Sequence, residues 1–182
     1  MEIQQGNHGV FACQRKYLKE ILKRFGMEEC KSVSTPMNLK EKLQKGDGVE
    51  ATDATTYRSL IGRLMYLTVT RPDIKFTVSA LSRFMNCASE LHMMAAKRVV
   101  RYLKGTATFG IKFSRGNQFK LSGFTNSDWA NCVDDMRSAS GYCFTLGSWC
   151  FSWSSKKQEV VAQSTAEAEF MAASGVANSL FG

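Results

Sequence analysis

Carboxylate side chains are the residues of this sequence whose type and spacing best suit chemistry. Asp134 and Asp135 form its only Asp-Asp pair, and Asp128 lies a few positions earlier. Glu167 and Glu169 lie in a later segment whose pattern predicts a helix, so their side chains point about 200° apart. A hard cation such as Mg²⁺ needs several oxygen ligands, preferably charged ones. Only one of the two glutamates can therefore face such a cation, and the other is expected on the surface of the first helical turn.

Basic side chains form a second set of candidates. Lys97, Arg101 and Lys104 share one face of a predicted helix, where they could follow a nucleic-acid backbone or form a solvated surface. Lys156 and Lys157 follow a predicted strand, where they could contact a phosphate group or blunt a sheet edge. On the residues alone, both alternatives stay open for each set.

The net charge is unevenly placed along the chain. The formal charge is +8, and residues 1–108 contain 18 Lys+Arg against 10 Asp+Glu, whereas residues 109–182 contain 6 of each. This asymmetry suggests a polyanion partner for the first part, with nucleic acid as the first candidate. A merely basic, soluble surface is the alternative.

The six cysteines and two histidines form no metal-binding pattern. No C-x-x-C pair occurs, which argues against a structural zinc site. The irregular cysteine spacing and the lack of a signal peptide favour reduced thiols inside a cell, without deciding between cytoplasm and nucleus. No apolar run approaches the roughly 18 residues that span a bilayer, so no membrane partner is expected. The cysteines are Cys13, Cys30, Cys87, Cys132, Cys143 and Cys150.

The elements that must position these residues are helical in the first part of the chain. Residues 9–13 predict a short strand, and the apolar spacing after it predicts a helix that Gly26 ends. Residues 38–54 are polar and charged, and we expect them to form a flexible linker. Three further helices are predicted over residues 55–68 with Tyr57, Leu60, Ile61, Leu64 and Met65 on one face, from Pro72 to about Met85, and from about Glu90 to Lys104.

A β-rich part follows residue 108. Phe109, Ile111 and Phe113 alternate on a first predicted strand, and residues 115–117 predict a hairpin turn. A helix is expected to start near Thr165. The predicted class is therefore α+β, with a boundary near residues 105–108. The remaining predicted strands run through Leu121 toward Asn126, from Tyr142 to Leu146, and through Phe151 and Trp153.

Ten short strings connect the sequence to a known family. They are Gln14-x-Lys16-Tyr17 leading to Phe25-Gly-Met27, Ser34-Thr-Pro36, Tyr57-Arg-Ser-Leu-Ile-Gly62 with Leu64-Met65-Tyr66, Thr70-Arg-Pro-Asp-Ile74, Ser82-Arg83-Phe84, Arg101-Tyr-Leu-Lys-Gly-Thr106, Ser127-Asp-Trp-Ala130, Arg137-Ser-Ala-Ser-Gly-Tyr142, Ser152-Trp-Ser-Ser-Lys-Lys-Gln158 and Ser164-Thr-Ala-Glu-Ala-Glu169. In this order and spacing, over nearly the whole chain, they make the sequence resemble the Pol polyprotein of copia-type retrotransposons, plant elements especially.

The resemblance implies what the two parts are. Residues 1–108 resemble the end of the reverse transcriptase, with its last palm strand, thumb and connection, and residues 109–182 resemble the front of a ribonuclease H domain. The expected fold is a helical thumb and connection remnant, followed by a truncated ribonuclease H-like antiparallel sheet of three to four strands with one helix. Both family reactions use carboxylates that hold two divalent metals, Mg²⁺ or Mn²⁺, and the nucleic-acid partner is an RNA–DNA hybrid or a related polymer.

The resemblance also implies that the family's active sites are incomplete here. The Tyr-x-Asp-Asp turn of the polymerase is absent from the sequence. Asn126 stands where the family has its first catalytic Asp, and Asp128 is a possible substitute on the same strand face. Glu169 matches the family's catalytic Glu and is the one metal ligand expected to be present, while the third and fourth carboxylates are expected beyond Gly182.

These observations support one leading hypothesis and two alternatives. The leading hypothesis is a degenerate Pol product without intrinsic catalysis, which binds nucleic acid weakly through its basic helical part and does not bind Mg²⁺ tightly. One alternative is a section of an active reverse transcriptase and ribonuclease H that another chain completes. The other is a host-recruited binding module without catalysis. An exposed sheet edge beside missing strands could also promote self-association.

Overall fold

The first part of the chain is mainly helical, and a β-rich part with a last helix follows it. The computed structural model describes residues 1–182 except 8, 39–41, 116–119, 148 and 182, and it describes residues 178–181 by their backbone alone. Within the described residues, helices are mixed with two three-stranded sheets, which confirms the predicted α+β class. The chain divides into two compact units, residues 1–113 and residues 114–182.

The elements have the following bounds in chain order. They are β1 (Glu2–Gly6), β2 (Gly9–Cys13), α1 (Arg15–Arg24), α2 (Ala54–Leu67), α3 (Lys75–Ser82), α4 (Glu90–Gly105), β3 (Ile111–Ser114), β4 (Leu121–Asp128), β5 (Ala139–Leu146), β6 (Trp149–Lys157) and α5 (Thr165–Phe181). None of the described helices combines the length and apolarity that a bilayer-spanning helix requires.

The helices of the first unit surround one apolar core. α2 buries Leu60, Ile61 and Leu64 completely, because these positions repeat on one face of the helix. Met65 was predicted on the same face but is 46% exposed, since it follows Leu64 by about 100° and lies at the outer margin of that face. The other buried positions include Leu18 and Ile21 in α1, Val78 and Leu81 in α3, and Ala96, Val99, Val100 and Leu103 in α4.

Helix boundaries follow the capping and turn residues of the sequence. Gly26 has a φ of +62° directly after α1, a conformation that favours glycine. Pro72 begins a 3₁₀ turn before α3, where its missing N–H costs no hydrogen bond. α3 ends at Ser82 rather than near Met85, because the N–H of Phe84 bonds to the carbonyl three residues before it, as in a turn.

The polar segment before α2 is attached to the start of α4. Glu90 N–H donates to Glu50 O at 3.0 Å, next to an isolated antiparallel bridge. The first N–H groups of a helix have no acceptor within the helix, and this segment supplies one. The prediction of a flexible linker over residues 38–54 is therefore wrong for its second half, and residues 39–41 of that prediction lie outside the described residues.

The first sheet contains a strand that was predicted in the other part of the chain. Its order is β1-β2-β3, so Ile111–Ser114 lies beside Gly9–Cys13 instead of opening the second sheet. Gly110 permits this approach, because a Cβ at that position would lie 2.3 Å from Ala12 O. β1 was not predicted, since Glu2–Gly6 contains a single apolar residue.

The second sheet has the order β4-β5-β6, and both of its pairings are antiparallel. Helix α5 packs against β4 and β5. Three antiparallel strands followed by one helix confirm the element order predicted for this part. The hairpin turn predicted at residues 115–117 lies mostly outside the described residues. The domain boundary predicted after residue 108 stays a prediction, and the two compact units divide after Phe113.

Candidate functional site

The two glutamates at the start of α5 have separate roles. Ser164 Oγ accepts the N–H of Glu167 at 3.2 Å, and Glu167 Oε2 accepts the N–H of Gln163 at 2.7 Å. These bonds cap the helix and agree with a first-turn surface role for Glu167. Glu169 instead reaches β4, where its Oε1 accepts the N–H of Ser127 at 3.1 Å. The structure thus places the predicted catalytic glutamate beside the predicted catalytic strand.

Asn126 and Asp128 lie on either side of that contact along β4. Asn126 is exposed and pairs with Gly141 of β5. Asp128 accepts the N–H of Ala139 through Oδ1, and its Oδ2 accepts a hydrogen bond from Asn131 Nδ2 at 3.0 Å. Its carboxylate therefore closes the connection between β4 and β5. Its use as a substitute ligand stays a prediction.

The fit of this site to divalent metal can be judged from its donor atoms. At the first ligand position stands the neutral side chain of Asn126, and the carboxylates of Asp128 and Glu169 each accept a backbone N–H. In the described part of the chain, no three His, Cys, Asp or Glu side chains come together as a metal-binding group. A pair of Mg²⁺ or Mn²⁺ ions requires several charged oxygens at once, so this donor set does not fit such a pair.

Lys156 and Lys157 both interact with carboxylates. Lys156 is exposed and lies 3.4 Å from Glu159 Oε1. Lys157 Nζ lies 2.5 Å from Asp135 Oδ2 and 3.2 Å from Cys132 Sγ. Burial acts to raise the pKa of Asp135, but the hydrogen bonds from Lys157 and Cys132 and the charge of Lys157 lower this pKa to about 2. Lys157 therefore fixes the turn before β5, and phosphate contact by either lysine stays a prediction.

The predicted basic face of α4 is partly used inside the first unit. Arg101 Nε donates to Lys31 O at 2.7 Å. Lys104 Nζ donates to Glu28 O at 2.5 Å and to Cys30 O at 2.9 Å. Two of the three cations thus hold the segment that follows α1. Lys97, the third, is exposed on the same helix.

A basic surface on α1 is present that is not among the predicted sites. The helix buries Leu18, Ile21 and Leu22, and its opposite side is exposed. The signal was present in the spacing, because the cations of this side fall between the apolar positions. We call these residues the α1 basic face; they are Lys16, Lys19, Lys23 and Arg24, all exposed.

A Ser, a His and an Asp also meet at the start of α4, but their geometry is that of a helix cap. Ser89 Oγ donates to Asp47 Oδ2 at 2.5 Å, and Ser89 N–H donates to His92 Nδ1 at 3.0 Å. Ser89 and His92 are almost fully buried. Ser89 Oγ also lies 2.8 Å from His92 Nδ1, but its hydrogen bond to Asp47 and the burial of both residues set it apart from a nucleophilic serine, which would be open to substrate.

Two of the family strings meet around a buried arginine. Arg71 is 3% exposed and donates to both carboxylate oxygens of Asp73, at 2.9 and 2.6 Å. It also donates to Thr106 O at 3.1 Å and to Thr106 Oγ1 at 2.6 Å, while the Tyr102 hydroxyl donates to Asp73 at 2.8 Å. Burial acts to raise the pKa of Asp73, but the bonds and charge of Arg71 and the Tyr102 hydroxyl hold this pKa below its usual value.

Two of the strings are thus in contact in the fold, and comparison with known proteins identifies their family. The chain belongs to the family of retrovirus-related Pol polyproteins from copia-type transposons. The predicted resemblance is thereby confirmed. No protein-family model matches the chain, and no solved structure matches it.

Three relatives illustrate the match. The chain is 44% identical over 162 residues to the retrovirus-related Pol polyprotein from transposon RE1 of Arabidopsis thaliana, which covers 89% of this chain and 11% of that protein. It is 39% identical over 171 residues to the corresponding polyprotein from transposon TNT 1-94 of Nicotiana tabacum, covering 88% of this chain and 12% of that protein. It is 37% identical over 172 residues to an uncharacterized mitochondrial protein of Arabidopsis thaliana, covering 94% of this chain and 71% of that protein. The chain therefore spans about a ninth of the polyproteins it matches.

Proposed function

We propose that this chain is the section of a Pol polyprotein that joins the reverse transcriptase to the ribonuclease H, and that by itself it binds nucleic acid without cleaving or copying it. Residues 1–108 would belong to the reverse transcriptase and residues 109–182 to the ribonuclease H-like domain. The observation that carries the proposal is the bond from Ser127 N–H to Glu169, next to the neutral Asn126. All six cysteines are free thiols, and a reducing intracellular location is part of the same proposal.

The loss of catalysis follows from charge. An Asp that bridges two Mg²⁺ ions offsets part of their positive charge, whereas Asn at position 126 offers one neutral carbonyl oxygen. Glu169 already accepts a backbone N–H through Oε1, which leaves Oε2 as its less engaged oxygen for a metal. Both oxygens of Asp128 accept hydrogen bonds, from Ala139 N–H and from Asn131 Nδ2, and these bonds compete with a metal for the carboxylate. Mg²⁺ or Mn²⁺ would accordingly bind weakly at this site.

A ribonuclease H assay tests this part of the proposal. The full chain is incubated with an RNA–DNA hybrid and Mg²⁺ or Mn²⁺, beside its Glu169→Ala variant, and both proteins are checked for equal helix content by circular dichroism. Cleavage by the two proteins should be equal and at background. Clear cleavage by the wild-type chain that Glu169→Ala abolishes would refute the proposal and favour the active-enzyme alternative.

The nucleic-acid contact is best assigned to exposed cations. The α1 basic face presents four exposed cations on one helix, and Lys97 is exposed on α4. Arg101 Nε and Lys104 Nζ already donate to backbone carbonyls, which leaves these side chains fewer donors for a phosphate. We therefore assign the main contact to α1 and a lesser one to α4.

Salt dependence separates these two surfaces. Affinity for an RNA–DNA hybrid is measured over a range of salt concentrations. The magnitude of the slope of log K against log salt decreases by roughly 0.9 or less for each phosphate that the protein no longer neutralises. Replacing Lys16, Lys19 and Lys23 with Ala should reduce this slope by about 2. The control removes the same charge from the exposed Lys112, Arg115 and Lys120 and should change the slope less. Equal changes in both variants would show that net charge, not α1, governs binding.

Self-association through β4 is a further element of the proposal. β4 is an edge strand of its sheet, and its Leu121 and Phe124 are 53% and 61% exposed. Exposed strand edges with large apolar side chains favour pairing with a second copy. Sedimentation velocity should show a concentration-dependent dimer that Phe124→Lys weakens. A monomer at all concentrations would remove this element.

A further inference from the structure

Two cysteines lie side by side on the β5–β6 hairpin. Cys143 Sγ is 2.8 Å from Cys150 Sγ, and both residues are partly exposed free thiols. The sequence spacing of seven positions did not indicate this contact. No step of the proposed nucleic-acid function uses it.

The contact follows from an irregularity in strand pairing. Thr145 pairs with Cys150 while Phe144 pairs with Ser152, so Phe151 is an extra residue that bulges from β6. Residues two apart on a strand share a face, and residues paired across strands share a face as well. Cys143, Thr145 and Cys150 therefore lie on one face, and the bulge sets the two sulfurs diagonally next to each other.

We propose that Cys143 and Cys150 form a redox site, which small-molecule disulfides of the glutathione type oxidise to an intramolecular disulfide and glutathione-type thiols reduce again. In the first step, the Cys143 thiolate, formed by loss of its proton to water, attacks one sulfur of the oxidant. The S–S bond of the oxidant breaks and one small thiolate leaves. In the second step, Cys150 loses its proton and attacks Cys143 Sγ, which releases the second small thiolate. Two electrons pass from the protein thiols to the oxidant, and two small thiols are formed.

The burial of the Cys150 thiol favours Cys143 as the first nucleophile. Burial raises the pKa of the Cys150 thiol to about 12, and the hydrogen bond and charge of Cys143 act in the same direction. Cys150 is therefore a poor first nucleophile, because the thiolate is the reactive form. Once Cys143 carries the small thiol as a mixed disulfide, Cys143 no longer has a thiol that raises the pKa of Cys150. Cys150 then lies in contact with the sulfur that it must attack.

Peptide mapping of the intact chain tests the proposal. Folded, reduced protein is equilibrated with mixtures of oxidised and reduced glutathione, quenched in acid, alkylated under denaturing conditions and digested with trypsin. Both cysteines fall in one peptide, residues 138–156, because Arg137 and Lys156 bound it. That peptide should become resistant to alkylation and lighter by two hydrogens, while Cys87, which is exposed, should be alkylated or carry glutathione. Alkylation or glutathionylation of peptide 138–156 at every mixture would overturn the proposal.

Serine variants separate the two roles. Cys150→Ser should accumulate the glutathione adduct on Cys143, whereas Cys143→Ser should leave Cys150 largely unmodified. Cys87→Ser is the matched control and should form the disulfide as the wild type does. Equal adduct formation in the first two variants would refute the order, and a disulfide that links two chains of the Cys87→Ser variant through peptide 138–156 would refute an intramolecular site.

Discussion

At the scale of single residues, Arg71 shows how a buried charged side chain can keep hydrogen-bond partners. Its guanidinium group forms a two-bond pair with Asp73 and two further bonds with Thr106. It also lies 5.6 Å from the ring centre of Tyr102 and 5.4 Å from that of Phe109. Such planar, paired geometry is specific to arginine, because a lysine ammonium cannot donate in parallel to two carboxylate oxygens.

Replacing Arg71 with alanine should destabilise the first unit by about 3 kcal/mol, the usual cost of removing one partner of a buried ion pair. The variant loses the four hydrogen bonds of Arg71 and leaves Asp73 without its cationic partner. Urea unfolding followed by circular dichroism measures the change. Arg24→Ala is the matched control, since Arg24 is exposed at the end of α1, and its effect should stay within about 0.5 kcal/mol. Equal losses in the two variants would contradict a structural role for the Arg71 pair.

The pair of Asp135 and Lys157 predicts a local dependence on pH. The pKa of Asp135 is lowered from 3.8 to about 2 in the folded chain. Because the folded value is the lower one, the pair stabilises the fold above pH 3.8, and this contribution is lost as the pH falls toward about 2. Lys157→Ala should move the NMR titration midpoint of the Asp135 carboxyl upward, toward 3.8. Lys156→Ala should not move it, since Lys156 pairs with Glu159, and an unmoved midpoint in the Lys157 variant would contradict the assignment.

Residue roles could be predicted from the sequence only where they depend on near neighbours. The separation of Glu167 from Glu169 follows from helical geometry and agrees with the structure. The hydrogen bonds of Arg101 and Lys104 could not be predicted, because their acceptors lie 70 and more positions away along the chain. Periodicity identifies the exposed side of an isolated helix, but it does not identify the segment that later covers that side.

At the scale of elements, helices were predicted well and sheet membership was not. Each helix of the first unit carries its own apolar face, so its existence can be inferred from a short stretch of sequence. A strand is specified by its partner as much as by its own alternation, and β3 pairs with a strand about 100 positions earlier. Its alternating Ile111 and Phe113 predicted a strand correctly, but they contain no information on which sheet it joins.

Two glycine substitutions test this pairing. Gly110→Ala would place a Cβ 2.3 Å from Ala12 O, a backbone atom that cannot rotate away, so β2 and β3 must separate. We expect a loss of about 2 kcal/mol in the free energy of unfolding, within the range of overpacked sites. Gly62→Ala is the matched control, because nothing lies within 4 Å of its Cβ position in α2. It should gain about 1 kcal/mol from higher helix propensity, and a gain from both variants would contradict the close approach of β3 to β2.

At the scale of the whole molecule, the two units differ in what they bury. The first unit contains a continuous cluster of large apolar residues from all of its helices. In the described part of the second unit, Phe144 is the one large aromatic or aliphatic side chain below a tenth exposed, and the other buried apolar residues are cysteine or alanine. Large apolar residues of the same unit remain at the surface; they include Leu121, Phe124, Trp129, Phe151 and Phe170. The alternation of apolar and polar residues predicted the strands of this unit correctly. It could not show that few large apolar side chains of the unit would be buried.

Hydrogen exchange should reveal this difference within the intact chain. Local opening costs least where few apolar contacts are broken, so amides of β4, β5, β6 and α5 should exchange through openings of lower free energy than those of α2 and α4. The measurement is exchange mass spectrometry at fixed pH, with rates divided by those of the unfolded chain so that sequence effects cancel. Leu64→Ala serves as the internal calibration, because removing a fully buried leucine should lower protection in α2 by about 3 kcal/mol. Protection in β5 equal to that in α4 of the wild-type chain would contradict the prediction. It would show that the strand hydrogen bonds of the second unit hold without a large apolar core.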